Sequence, residues 1–102
     1  MKPVIHSAVA AHDVRNAADY YANEADTELA ADFIDAIEHA VQNISLWPGI
    51  GSPRFSELLS IPDLRTLSLN RFPYIIFYIE FPEHIIVWRV LHAQRDILDL
   101  LR

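Results

Sequence analysis

A chain of 102 residues, 52% of them hydrophobic, sits near the commonest domain size and can bury one core, which excludes a disordered protein. It contains no cysteine, so disulfide frameworks, thiol nucleophiles and cysteine-held zinc are excluded, and a reducing compartment fits. The net charge of −6 lies wholly in the first half: residues 1–50 carry eight acids against Lys2 and Arg15, whereas residues 51–102 balance six acids with six arginines.

An acidic protein is repelled by a phosphate backbone, so a protein partner is favoured over bulk RNA or DNA, and no direct nucleic-acid binding is expected. No apolar run approaches the roughly 20 residues that a bilayer span needs. The opening Met1-Lys2-Pro3-Val4-Ile5-His6 lacks the apolar run and cleavage site of a signal peptide. The expectation is one soluble, cytoplasmic domain over residues 1–102, with no membrane contact.

Val4-Ile5-His6 reads as a short strand, and Ser7 is placed to cap the helix that follows by accepting a bond from an early backbone N–H. From Val9 to Glu24 the residues Val14, Ala17, Ala18, Tyr21 and then Ala25 recur at helical spacing and form one stripe. Asp26 or Thr27 caps a second helix whose stripe is stronger: Leu29, Ala30, Phe33, Ile34, Ile37, Val41 and Ile44. Glu28, Asp32, Asp35 and Glu38 lie on its opposite face, which reads as solvated rather than as a cation site. So short a break between two helices predicts an antiparallel hairpin covering a sheet.

Trp47-Pro48-Gly49-Ile50-Gly51-Ser52-Pro53 ends the second helix, since proline cannot extend it and both glycines of the chain fall here. Gly49-x-Gly51 is too short for a phosphate loop. A loop is predicted to about Pro62. In Arg65 to Leu69, Leu67 and Leu69 alternate with Thr66 and Ser68, the pattern of a strand covered on one face. Phe72 to Ile79 is almost wholly apolar and must be central. Phe81-Pro82-Glu83 turns the chain into a last strand, His84 to Leu91, and Ile97 to Leu101 forms a closing helical turn. The predicted fold is α+β in the order β-α-α-β-β-β, a helical hairpin packed on a small antiparallel sheet.

Along the last strand, strict alternation places Ile85, Val87, Arg89 and Leu91 on one face and Ile86, Trp88, Val90 and His92 on the other. Both faces are rich in apolar groups, so a sheet covered by helices on one side only would expose hydrophobic area on its second face, the usual mark of an interaction surface. Arg65, Arg71, Arg89 and Arg95 fall in or beside strands, where a charge must reach solvent or a carboxylate. With Tyr78, Trp88 and His92 they make up the expected partner-binding set. His6, His12, His39 and His84 are scattered without ligand spacing, and neither metal nor cofactor is expected.

Six phrases follow one another in a telling order. They are Ala18-Asp19-Tyr20-Tyr21, Ala30-Ala31-Asp32-Phe33 with its helix running to Trp47, Pro48-Gly49-Ile50-Gly51-Ser52-Pro53-Arg54, Arg65-Thr66-Leu67, and Arg71 to Tyr78 followed by Val90-Leu91-His92-Ala93-Gln94-Arg95-Asp96. Together they cover nearly the whole chain, which resembles the ParE-type toxins of the RelE/ParE superfamily, components of type II toxin-antitoxin systems linked to plasmid stabilisation.

That resemblance implies a bacterial toxin that inhibits DNA gyrase, blocks replication and is neutralised in a hetero-oligomer by a cognate, ParD-like antitoxin. The RelE branch of the same superfamily instead cleaves messenger RNA on the ribosome, for which it needs an acid or base and cations around the phosphate. In its Arg-x-x-Tyr pattern, the position three before Tyr78 is Ile75 here, and His92 is followed by Ala93 rather than an aromatic residue. The expectation is therefore a binding inhibitor with no catalytic residue. The alternatives are a ribosome-dependent endoribonuclease, with His92 as its proton donor, and a decayed toxin that only binds antitoxin. In a structural role His92 would hydrogen-bond a backbone carbonyl where the last strand ends.

Overall fold

The computed structural model describes residues 1–101. A short strand β1 (Val4–His6) leads into α1 (Ala8–Glu24), whose first turn is capped by Ser7: its Oγ accepts from the Ala10 N–H at 3.0 Å. The same hydroxyl donates to the Trp88 carbonyl at 2.9 Å, so the cap also ties the helix to the sheet. Asp26 caps α2 (Thr27–Leu46) by accepting from the Leu29 N–H at 2.6 Å. Ala25, expected on the inner stripe of α1, instead ends that helix and is exposed.

The chain continues through a 3₁₀ turn (Pro48–Ile50) and a short α3 (Arg54–Leu58), both inside the stretch expected to be loop. It then enters β2 (Leu64–Ser68), β3 (Tyr74–Glu80) and β4 (Ile85–His92) and closes on α4 (Ile97–Leu100).

The sheet order is β1-β4-β3-β2, with the apolar β3 between its hairpin neighbours, as its composition requires. Tight turns make β2, β3 and β4 antiparallel, but β1 joins β4 in parallel, so the sheet is mixed rather than antiparallel throughout. The cause is the connection: a helical crossover rather than a hairpin separates β1 from the other strands, and crossovers join parallel strands. Bonds from Ile85 N–H to the Pro3 carbonyl and from Ser7 N–H to the Val87 carbonyl, each 2.9 Å, hold this edge.

One core lies between the helices and the sheet. Phe33, Ile37 and Ile44 of α2 and Ala10 and Ala17 of α1 meet Ile76, Tyr78, Ile85, Val87 and Val90. At its end Tyr21, Phe33, Phe72 and Tyr74 form an aromatic group with ring centroids between 5.2 and 6.3 Å apart, mostly edge-on.

The second face of the sheet is not open, contrary to the expectation from strand pattern alone. Phe55, Leu64, Ile75, Phe77 and Leu91 form a second buried cluster, roofed by Leu59 and Ile61 after α3 and by Ile97 and Leu100 of α4. The hydrophobic drive that would recruit a partner to this face is met by the chain's own short helices.

Strict alternation along β4 also fails. Phe77 pairs with Arg89 and Tyr78 with Val87, leaving Trp88 as an extra residue at a bulge. Beyond it the faces exchange, so Ile85, Val87 and Val90 share the first core while Leu91 falls in the second.

Candidate functional site

Arg89 reaches α1, where its Nε and Nη2 donate to the two oxygens of Asp13 at 2.8 and 3.0 Å. Asp13 Oδ2 also accepts the Val90 N–H at 3.0 Å, an amide next to the bulge. The hydrogen bonds to Asp13 raise the Arg89 guanidinium above its ordinary value, with the Asp13 and Asp96 charges adding and burial opposing.

Asp13 was not singled out in the sequence. The signal was there, however: with Ala10 and Ala17 it sits at three- and four-residue spacing on the inner stripe, and an acid in such a stripe calls for a cation.

Arg95 donates to the Tyr74 hydroxyl at 3.2 Å and stands 3.5 Å from Asp96; the bond to Tyr74 is the main reason its guanidinium is raised. Arg89, Arg95 and Tyr74 thus line one cleft of about 490 Å³ between α1, β4 and α4, which also contains Asn16 and the carboxylates of Asp13 and Asp96. His92 stands beside it, its ring edge-on to Tyr74 at 5.3 Å. Its Nδ1 accepts from the Gln94 and Arg95 backbone N–H groups at 3.2 and 3.0 Å, and the His92 backbone N–H donates to Asp96 Oδ2 at 2.8 Å. The histidine therefore builds the turn out of β4, but as an acceptor of amides rather than as a donor to a carbonyl.

The other members of the expected set lie elsewhere. Arg65 donates to the Gly51 carbonyl at 2.7 Å. Arg71 extends over the Phe72 ring, 3.6 Å from Asp32 and largely exposed. Trp88 is half-buried in the second cluster, edge-on to Phe77.

Tyr78 is removed from the candidates outright. It is fully buried, and its hydroxyl donates to the Pro48 carbonyl at 2.6 Å while accepting the Gly51 N–H at 2.8 Å. Burial, first among the causes, pushes this phenol up. The seven residues therefore divide among four places, the cleft, the Gly51 turn, the Asp32 side of α2 and the second cluster, and form no single surface.

Ile75 is 6% exposed and sealed in the second apolar cluster, so the place of the ribonuclease arginine is filled by hydrocarbon. Among the described residues no group of three or more histidines and carboxylates is arranged to hold a metal, and no helix is long and apolar enough to cross a membrane.

Residues 4–97 match the model of the family described as the ParE toxin of type II toxin-antitoxin system, parDE. Among solved structures, a chain of the chromosomal ParDE TA system from P. aeruginosa shares this fold. The TM-score is 0.77 at 24% identity, covering 92% of this chain and 98% of that one. No curated protein matches the sequence. Because the family match takes in almost the full length and the fold agrees with it, the chain belongs to the ParE toxin family of type II toxin-antitoxin systems.

Proposed function

We propose that this protein is a non-enzymatic toxin that binds DNA gyrase, blocks replication and is held inactive in the cytoplasm by a ParD-like antitoxin, with residues 1–102 acting as one toxin domain. The family match over residues 4–97 carries the reading. Three features support the non-enzymatic branch. Ile75 is sealed among apolar side chains, Arg89 is neutralised by Asp13, and the net charge of −6 opposes RNA. A phosphoryl-transfer site instead needs cations aimed at developing charge.

The test is induction in a bacterial host together with a supercoiling assay on purified gyrase. The expected outcome is filamentous growth arrest, relieved by the antitoxin, and loss of supercoiling at stoichiometric toxin. Arrest with gyrase untouched would remove the target; soluble protein without arrest would leave a decayed toxin.

The cleft that joins Arg89, Arg95 and Tyr74 beside His92 is the observation behind a second reading, the ribosome-dependent ribonuclease. Primer extension on ribosome-bound transcripts separates the two. Codon-positioned cleavage that vanishes in His92→Ala would establish the enzyme.

A further inference from the structure

The turn out of β4 is closed by a single lone pair. His92, the last residue of the strand, is half-buried, and its Nδ1 accepts the backbone N–H groups of both Gln94 and Arg95. A ring nitrogen that accepts carries no hydrogen, so the imidazole is neutral and its proton sits on Nε2. Histidine Nδ1 stands as many bonds from the backbone as asparagine Oδ1. An acceptor there, bonding amides two and three residues ahead, makes the turn that an asparagine side chain makes.

The C-terminal helix depends on this turn. The His92 carbonyl takes the Asp96 N–H at 3.2 Å, and Asp96 Oδ2 takes the His92 backbone N–H, so the carboxylate closes the turn instead of capping α4. With four residues, α4 is too short to hold helical shape without outside support. Its Ile97 and Leu100 roof the second cluster over Ile75, Phe77 and Leu91, while Leu98 faces water. The roof therefore rests on two side chains and on the turn that aims them.

Protonation reverses the role of the ring. A second ring proton goes on Nδ1 and uses its lone pair, leaving a cationic N–H pointed at two amide N–H groups. Around the ring, Tyr74 of β3 meets it edge-on and has its hydroxyl engaged by Arg95, and Asp96 is held by the His92 amide and Arg95. Across the adjoining cleft Arg89 of β4 is paired with Asp13 of α1, and Asp99 of α4 adds a further carboxylate. These charges govern how readily the proton arrives, whereas the acceptor for the Gln94 and Arg95 amides is Nδ1 itself.

We infer that His92 is a proton-operated latch for α4: the neutral ring holds the C-terminal helix over the second face of the sheet, and the protonated ring releases it. Because the closed turn needs the neutral ring, the lid is complete above the titration range of the imidazole and is lost as the pH falls through it. Mild acid then uncovers Ile75, Phe77 and Leu91, the apolar face that strand pattern alone leaves open. The inference is independent of the toxin reading, since it rests on the turn and its helix.

Hydrogen exchange of the α4 amides in the full-length chain reads the latch, expressed as protection factors so that the intrinsic pH dependence of exchange cancels. The amides are those of Leu100 and Leu101, which donate to the Asp96 and Ile97 carbonyls. Between about pH 7.5 and about pH 5.5 their protection should fall at least about tenfold, with a rise in the fluorescence of a dye that binds apolar surface. His92→Asn keeps the acceptor without a titrating group, so its protection should change less than about twofold over that range. His92→Ala should leave the lid open at both pH values. Nitrogen-15 NMR of the wild-type ring should show the Nε2–H tautomer at neutral pH.

An Nδ1–H tautomer at neutral pH would overturn the inference. So would protection that holds while NMR shows His92 titrating, or a His92→Asn protein that opens with acid as the wild type does. The wild-type NMR titration followed beside hydrogen exchange decides the matter even if neither variant folds.

Discussion

Tyr78 and Gly51 are one device seen from two ends. A Cβ at Gly51 would lie 2.6 Å from the Tyr78 hydroxyl oxygen, 2.9 Å from its Cε1 and 2.8 Å from the Thr66 carbonyl, so the glycine is required by close approach, not by its backbone angle. Tyr78→Phe removes the partner of both the Pro48 carbonyl and the Gly51 N–H and should cost about 1–3 kcal/mol. Gly51→Ala should cost a similar amount by overpacking, about 1–3 kcal/mol. Because the added methyl would still meet the ring carbon and the Thr66 carbonyl, the double variant should be no more stable than Gly51→Ala alone. Urea unfolding of the three proteins checks this, and a rescue in the double variant would mean that the hydroxyl alone makes the contact.

Between elements, the Asp13–Arg89 pair pins α1 against the bulge of β4. Asp13 is only 12% exposed at its side chain and accepts three hydrogen bonds, so its loss leaves a half-buried guanidinium and the Val90 amide short of partners. Asp13→Ala should cost about 2–4 kcal/mol, and Asp13→Asn less, since an amide oxygen keeps one acceptor. Arg89→Glu should destabilise the free toxin too by setting two carboxylates face to face, whereas a charge waiting for an antitoxin carboxylate would leave the free protein unaffected. Thermal unfolding of the isolated variants distinguishes these outcomes.

At the scale of the molecule, the sheet is sealed on both faces although the described residues hold only one long helical hairpin. Leu91 is 4% exposed in the second cluster and Leu98, the second residue of α4, is 66% exposed. Leu91→Ala should therefore cost about 2–4 kcal/mol, while Leu98→Ala should stay within about 0.5 kcal/mol. Equal, small effects in denaturant titrations would mean that α3 and α4 lie loosely on the sheet and that its second face is available to a partner after all.

The elements themselves were legible in the sequence because their causes are local. Ser7 and Asp26 cap because a short polar side chain precedes an apolar stripe, Pro48 ends α2 because it has no N–H to give, and β3 is central because nearly every residue from Tyr74 to Ile79 is apolar. Family membership was legible for a related reason: it rests on short phrases in a fixed order, matched over residues 4–97.

What only the tertiary structure decided depends on pairs distant along the chain. A three-residue strand carries no sign of its direction, so the crossover made β1 parallel. One extra residue at Trp88 exchanged the faces of β4, a shift that no period-two pattern contains. Asp13 and Arg89 lie 76 residues apart, and Tyr78 lies 27 residues from Gly51. Sequence composition told which side chains need a partner; only the packing of α1, the Pro48 turn and α4 against the sheet determined which partner each one has, and so left Trp47 facing water while Tyr78 was buried.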